Sequence, residues 1–241
     1  FAEKHNFEAG LYTEYYKEHF KSGNYTGYGI NPSLVGYPSG ITPGSAANGL
    51  IPVVGGSDVE AGIFSYFGIV KYGFDDRFNL DLSLRRDASN KFSEANKWGT
   101  FWSVGANWNV INEKFMEGNK LFKDLKLRAS YGFTGNFQIP NYGSIGLLNN
   151  ANYVFGNALV NGIGRSTLNN DQLSWESKKQ LDIGLDFGLF NDRIYGGFDY
   201  YNSVTSDLLL NVNIASSAGF TTALTNVGSC PVATTRAGFG L

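Results

Sequence analysis

Residues 78–86 read FNLDLSLRR. Phe78, Leu80, Leu82 and Leu84 fall on one face of an extended chain, and Asn79, Asp81, Ser83 and Arg85 fall on the other, because successive side chains of a strand point to opposite sides. The same period of two returns at 125–134, where Leu125, Leu127, Ala129, Tyr131 and Phe133 alternate with Lys126, Arg128, Ser130, Gly132 and Thr134. It returns again at 180–190, where Leu181, Ile183, Leu185, Phe187 and Leu189 oppose Gln180, Asp182, Gly184, Asp186 and Gly188. Weaker versions run over 5–16, 64–74, 98–110 and 194–209. The pattern predicts about seven strands, most of them about ten residues long. A membrane-crossing strand needs about 9–11 residues, whereas a globular strand averages about five or six.

Between these runs the connections are unequal. Asp75-Asp76-Arg77 and Asn191-Asp192-Arg193 are short and polar and sit in the similar contexts FDDRF and FNDRI, as tight hairpin turns do. The segment 112–123 (NEKFMEGNKLFK) reads as a short helix or linker with Asn112 as its N-cap. Stretches at about 17–62, 87–97, 135–174 and 204–225 read as long loops. Following the reversals, the long loops all fall at one end of the strands and the tight turns and linker at the other. A soluble sandwich alternates equally well but has no reason to sort its loops by length. A bacterial outer-membrane barrel does sort them. The expected fold is therefore all-β: an antiparallel transmembrane β-barrel segment.

Physical chemistry favours the same reading. A closed barrel satisfies every backbone amide in hydrocarbon. The Leu/Phe face would meet lipid and the charged face would line the lumen. A one-residue slip would place Arg85 or Lys126 in lipid, at a cost of about 2–4 kcal/mol at the midplane. Trp98, Trp102, Trp108, Trp175, Tyr72 and Tyr195 lie near strand ends, where interfacial aromatic girdles are expected.

Composition narrows the function classes. Among 241 residues, 15% are aromatic and 17% charged, with 31 Gly and one Cys. Abundant aromatics and few charges exclude a disordered chain. A net charge of -2 gives no global field for nucleic acid, so none is expected as a partner. Cys230 alone excludes an internal disulfide framework or a cysteine zinc cluster. No apolar run approaches the length of a membrane-spanning helix. FAEKHNFEAG at the start lacks the basic flank and apolar core of a signal peptide. Because the chain opens on Phe1, we read it as processed or as a piece of something longer.

Nothing in the sequence assembles a catalytic constellation, and neither enzyme activity nor a cofactor is expected. His5 and His19 have no ligand spacing and read as polar strand-end residues. Asn169, Asn170 and Asp171 could offer oxygen ligands to calcium, but a solvated loop explains them better, and no metal is expected. Candidate lumen or substrate contacts are Arg85, Arg128, Asp182, Asp186 and Asp199 on the polar face. Candidate loop aromatics are Tyr25, Tyr28, Tyr37, Tyr142, Tyr153 and Phe155, since sugar recognition uses aromatic platforms beside polar groups.

The run SYFGIVKYGFDDRFNLDLSLRRDASNKFSEANKWGTFWSVGANWNV, starting at Ser65, resembles the TonB-dependent outer-membrane transporters of the SusC/RagA type. INEKFM, LKLRASYGFTGN, LSWESKKQLDIGLDFGLFNDRIYGGFDYYN and SSAGFTTALTNVG follow in the family's order, carrying the resemblance to Gly228. Trp102 stands where the family usually has Pro, and Ala88 where it often has Gly. After Gly228 the chain reads SCPVATTRAGFGL, unlike the family's next strand. We therefore set 1–228 apart as partial barrel and 229–241 as an aberrant or truncated tail, from a frameshift, sequence error or truncation near Ser229.

What the resemblance implies is an arc of a barrel of about 22 strands in an importer of large nutrients, oligosaccharides first and peptides next. It also implies an N-terminal plug, a TonB complex acting through that plug, a SusD-type surface lipoprotein as lid, and outer-membrane lipid around the wall. Two other classes stay open. A small structural or adhesion barrel in the outer membrane would end its last strand on an aromatic, where this chain has Leu241. A soluble carbohydrate-binding β-sandwich would be monomeric without detergent.

Overall fold

The computed structural model describes residues 4–29, 31, 33, 47 and 49–240. Eight antiparallel strands form one sheet in the order β1-β2-β3-β4-β5-β8-β9-β10, and β6-β7 form a separate hairpin. The strands are β1 (His5–Thr26), β2 (Val53–Phe74), β3 (Phe78–Ser89), β4 (Trp98–Asn109), β5 (Phe122–Asn136), β6 (Leu148–Phe155), β7 (Ala158–Arg165), β8 (Glu176–Leu189), β9 (Ile194–Asn213) and β10 (Thr222–Gly240). Among the described residues, no helix is long and apolar enough to cross a membrane; the candidates for crossing are the strands. The chain divides into two compact units, Phe1–Tyr16 with Gly62–Leu241, and Lys17–Ala61.

The wall has eight strands where the sequence predicts about seven, and its strands are longer. Of the predicted loop 17–62, residues up to Thr26 belong to β1 and residues from Val53 belong to β2. The predicted loop 204–225 is mostly strand, with β9 running to Asn213 and β10 starting at Thr222. The segment 135–174 carries the β6-β7 hairpin. These stretches escaped because their strands leave strict apolar alternation, which is the signal periodicity reads.

The register keeps the two faces apart across the sheet. Gly68, Leu84, Trp102, Phe133 and Lys179 form one cross-strand row, and Val70, Leu82, Val104, Tyr131 and Leu181 form the next. Leu80, Ala106, Ala129, Ile183 and Tyr200 continue the apolar face toward the tight turns. The polar face carries rows such as Lys71-Asp81-Gly105-Ser130-Asp182.

Both tight turns use left-handed backbone. Asp75 and Asp76 have φ of 54° and 53°, and Asn191 and Asp192 have 61° and 62°. Hairpin turns that match strand twist need positive φ, which Asp and Asn tolerate best after Gly. One single 3-10 turn, Val110–Asn112, leads into the 112–123 linker, and a second, Lys114–Met116, lies within it. Asn112 is not an N-cap there: its amide donates to the Asp76 carbonyl at 2.9 Å, tying the linker to the neighbouring turn.

Residues 229–240 pair with β9 without a slip, from Ser229↔Ser206 to Gly240↔Tyr195. Ladder pairing belongs to the backbone and is indifferent to side chains, so it describes the path of this tail and not the origin of its sequence. Where the ladder skips, Asp207 and Gly228 both take positive φ, at 58° and 67°.

Candidate functional site

The polar face of the wall carries Arg85, Arg128, Asp182, Asp186 and Asp199, the charged residues that the sequence singled out. Arg128 on β5, Gly184 on β8 and Asp199 on β9 share one cross-strand row. A side chain at 184 would crowd this space, since an added Cβ would stand 2.8 Å from Arg128 Nη2 and 2.7 Å from Asp199 Oδ1. Glycine therefore lets the guanidinium reach across β8. Its Nη2 donates to Asp199 at 2.9 Å. The same group forks onto Asp186, with Nε to Oδ2 at 2.7 Å and Nη2 to Oδ1 at 2.9 Å. Bidentate pairing of this kind fixes orientation as well as charge.

Arg85 forms a second hub. It donates to Asp87 at 2.7 Å, to Glu14 at 2.9 Å and to Ser65 at 2.8 Å, and its guanidinium lies 5.0 Å from the Phe67 ring centroid. Strands β1, β2 and β3 are thereby stitched on one face. Asp182 accepts from Gln180 at 3.0 and 3.1 Å and more weakly from Ser130 at 3.5 Å. Ser83–Ser103 and Asn79–Asn107 bridge further rungs at 2.6 and 2.9 Å. A depression of about 390 Å³ lies on this face, lined by Lys71, Asp81, Ser83, Ser103, Ser130 and Asp182 among others. Such a surface offers charge-balanced hydrogen bonding to a polar solute or to another polar surface. It brings Arg128, Asp186 and Asp199 together and keeps Arg85 and Asp182 in separate networks.

Glu14, Ser65 and Gly184 were not foreseen as members. Glu14 and Ser65 have the right alternation, but only cross-strand register shows what they face. Gly184 could have been flagged as a gap in an otherwise charged row.

At the long-loop end, Phe92, Phe101, Ile139, Leu173 and Trp175 form a buried cluster. Trp175 is not a girdle residue, as the sequence expectation had it: its rings pack against Phe92, Phe101 and Phe137, and its Nε1 donates to the Lys97 carbonyl. It precedes β8, outside the alternation that points a strand residue to lipid. Tyr195 shares the alternation of Asp199 and stands on the polar face. Trp98, Trp102, Trp108 and Tyr72 do stand on the apolar face.

The loops are cross-linked by hydrogen bonds. Ser93 and Asn96 donate to the Asp171 carbonyl, Ser144 donates to Lys91, and Asn170 donates to Leu224. Asn169 donates to the Asp171 carboxylate. Tyr142, at φ 63°, lines a pocket of about 400 Å³ with Pro140, Thr167 and Phe220. Tyr153 and Phe155 pack edge to face on the β6-β7 hairpin and are largely exposed, at 51% and 72%. Tyr25 lies in β1 and Tyr28 just after it. Tyr37 falls outside the described residues.

One apolar and one polar face on long, antiparallel, sorted strands define a piece of an outer-membrane β-barrel. The comparisons give the family. The model of the TonB dependent receptor-like, beta-barrel family matches residues 3–237, and the chain belongs to that family. It is 37% identical over 173 residues to the TonB-dependent receptor SusC of Bacteroides thetaiotaomicron, a match covering 69% of this chain and 17% of that protein. A TonB-dependent receptor of Formosa agariphila is 40% identical over 167 residues, covering 69% and 17%. Among solved structures, the RagAB peptide importer in its closed-closed state superposes with a TM-score of 0.88 at 31% identity, over 99% of this chain and 26% of that one. The siderophore receptor PirA from Acinetobacter baumannii, at 16% identity and a TM-score of 0.58, shares the fold. The chain thus spans about a sixth of the length of the curated relatives it matches. As in this family, the wall is a transporter-type barrel segment of the outer membrane, of the SusC/RagA type. Its apolar face is the lipid face and its polar face the lumen face.

Proposed function

We propose that this wall belongs to a TonB-driven importer of large nutrients, with oligosaccharides as cargo. The observation that carries the cargo reading is the β6-β7 hairpin. Tyr153 lies over Gly162, where an added Cβ would stand 3.1 Å from the ring. Exposed Tyr153 and Phe155 sit on the same short hairpin as Asn149, Asn152 and Asn161. Aromatic faces beside amide groups suit the C–H faces and hydroxyls of sugars. On this reading the lumen networks around Arg85, Arg128 and Asp182 give a hydrophilic path, and the chain carries out no reaction of its own.

A peptide cargo is the second reading, favoured by the likeness to the RagAB peptide importer. The experiment is to measure binding of a neutral oligosaccharide digest and of a peptide digest to the full-length protein and to its Tyr153→Ala/Phe155→Ala variant. Selective loss of oligosaccharide binding by about tenfold, or roughly 1.4 kcal/mol, is expected. Unchanged oligosaccharide binding, with peptides bound in preference, would overturn it.

We further propose that a SusD-type surface lipoprotein closes over the long-loop end, and that the TonB complex acts through a plug outside this chain. The hairpin supports the lid contact, since Leu148, Val154, Leu159 and Ile163 are also exposed, and an apolar hairpin in water is an interaction surface. Deleting 143–164 from the full-length protein should abolish co-purification of the lipoprotein; unchanged co-purification counts against it.

A further inference from the structure

The lipid face of the wall carries two cations that nothing in the cargo path uses. In the regular ladder from β2 to β10, Asp81, Asp87, Asp182, Asp186 and Asp199 all stand on the lumen face with Arg85 and Arg128. Arg86 and Lys179 stand on the opposite face. Arg86 pairs across with Tyr66 and Thr100, and Lys179 with Phe133 and Val204. Both are exposed, and neither has a carboxylate partner among the described residues.

Their heights are close. On β3, four apolar lipid-facing residues, Phe78, Leu80, Leu82 and Leu84, lead from the tight turn to Arg86. On β8, five such residues, Leu189, Phe187, Leu185, Ile183 and Leu181, lead from the other tight turn to Lys179. The eight residues from Phe78 to Arg86 cover about 26 Å and the ten from Leu189 to Lys179 about 33 Å. At the tilt of barrel strands, about 35–45°, these are about 20 and 25 Å of membrane depth, close to the height of the apolar band. Both cations therefore leave the hydrocarbon at the headgroup level of the long-loop, outer leaflet side. Arg86 is braced there: its guanidinium lies 5.1 Å from the Trp98 ring, and Trp98 stacks on Tyr66 at 7°. Cation–π contact holds a guanidinium in place while leaving its N–H edge free to donate.

A fixed cation at headgroup depth without a protein carboxylate calls for an anion from the lipid itself. We propose that Arg86 and Lys179 bind phosphate groups of an outer-leaflet phosphorylated lipid, with Trp98 and Tyr66 as the platform that orients Arg86. Three strand spacings of about 4.8 Å separate β3 from β8, too far for one phosphate to bridge. The site accordingly takes two phosphates, on one headgroup or on neighbouring ones. It fixes the height of the wall in the membrane, independently of cargo.

The test is native mass spectrometry of the delipidated full-length protein with diphosphoryl lipid A and, separately, with its dephosphorylated form. The Arg86→Gln/Lys179→Gln variant should lose at least fivefold in occupancy by the diphosphoryl lipid and change little with the dephosphorylated one. Lys178→Gln, the lumen-facing neighbour, should behave as wild type, and Arg86→Lys should retain most binding. Heat-modified gel mobility reports whether each variant folds; if the double variant fails, each single Gln variant should still lose at least twofold. Wild-type occupancy in the folded Gln variants, or an equal loss in Lys178→Gln, overturns the proposal.

Discussion

In the wall, Leu82 is placed by the direction of its strand; at the long-loop end, Trp175 is placed by what it touches. Leu82 has Val70 and Val104 beside it and is exposed on its outer side, where lipid belongs. Trp175 is buried at 8% exposure among side chains drawn from residues 92, 101, 137, 139 and 173. The wall is a periodic object held by ladder hydrogen bonds and a lipid solvent. The loop end is a small aperiodic core, held as a water-soluble domain is. The two should therefore fail separately and under different insults.

The largest effect is expected from Trp175→Ala in the full-length protein. Removing a buried Trp from a packed core costs about 3–5 kcal/mol. The loss should fall on the loops, because 90–97, 137–144 and 167–175 meet at this side chain and its neighbours. Hydrogen exchange should accelerate across those segments and stay slow in β3 to β5. Equal loss of protection in the strands would show that wall and loop end are one cooperative body.

Leu82→Arg is the corresponding insult to the wall. An arginine on the lipid face near the midplane costs about 2–4 kcal/mol, measured by denaturant unfolding in bilayers. Ser83→Arg, one residue away on the lumen face, should cost far less. A similar penalty at both positions would refute the assignment of faces.

Alternation made the wall readable in the sequence, because a period of two needs only near neighbours to be recognised. The polar candidates Arg128, Asp186 and Asp199 emerged for that reason: they stand where a lumen face must be polar. Their meeting at one guanidinium did not, since it depends on register between β5, β8 and β9 and on the absence of a side chain at Gly184. The Trp175 cluster was invisible for a further reason. Leu173 and Trp175 sit in an irregular segment, and their partners lie 34 or more residues away except for each other. β10 was hidden too, because Thr, Ala, Gly and Arg fill positions that pair by backbone alone.

A smaller effect tests that register. Gly184→Val should push Arg128 off Asp199 while leaving the fork to Asp186. Exposed ion pairs are worth about 0–1 kcal/mol, so the stability change traceable to the pair should stay below about 1 kcal/mol. A double-mutant cycle between Arg128→Gln and Asp199→Asn should show coupling in wild type and none in the Gly184→Val background. Coupling that survives the valine would mean the guanidinium does not cross β8 in that row.

The smallest effect lies in the unit Lys17–Ala61, where β1 and β2 carry charges in place of the apolar side chains of the wall. His19 Nε2 lies 2.5 Å from Asp58, Lys21 Nζ 3.2 Å from the same carboxylate, and Lys17 Nζ 3.1 Å from Glu60. Asp58 lies sixteen residues along β2 from Phe74, more than the about 9–11 residues a strand needs to cross the membrane. The hydrogen bond to His19, and after it the one to Lys21, hold the Asp58 carboxyl below its ordinary value of 3.8. A carboxyl lowered on folding stabilises the hairpin fully above its unfolded value, and that contribution fades as pH falls through the folded one. Exchange protection at 17–21 and 57–60, corrected for intrinsic rates, should thus be constant from pH 7 to about 4.5 and decline below. Asp58→Asn should remove that decline and leave wall protection untouched. An identical acid decline in the variant would mean that backbone pairing and the Ser22–Ser57 contact at 2.7 Å set the local stability, and that the charged rung adds nothing.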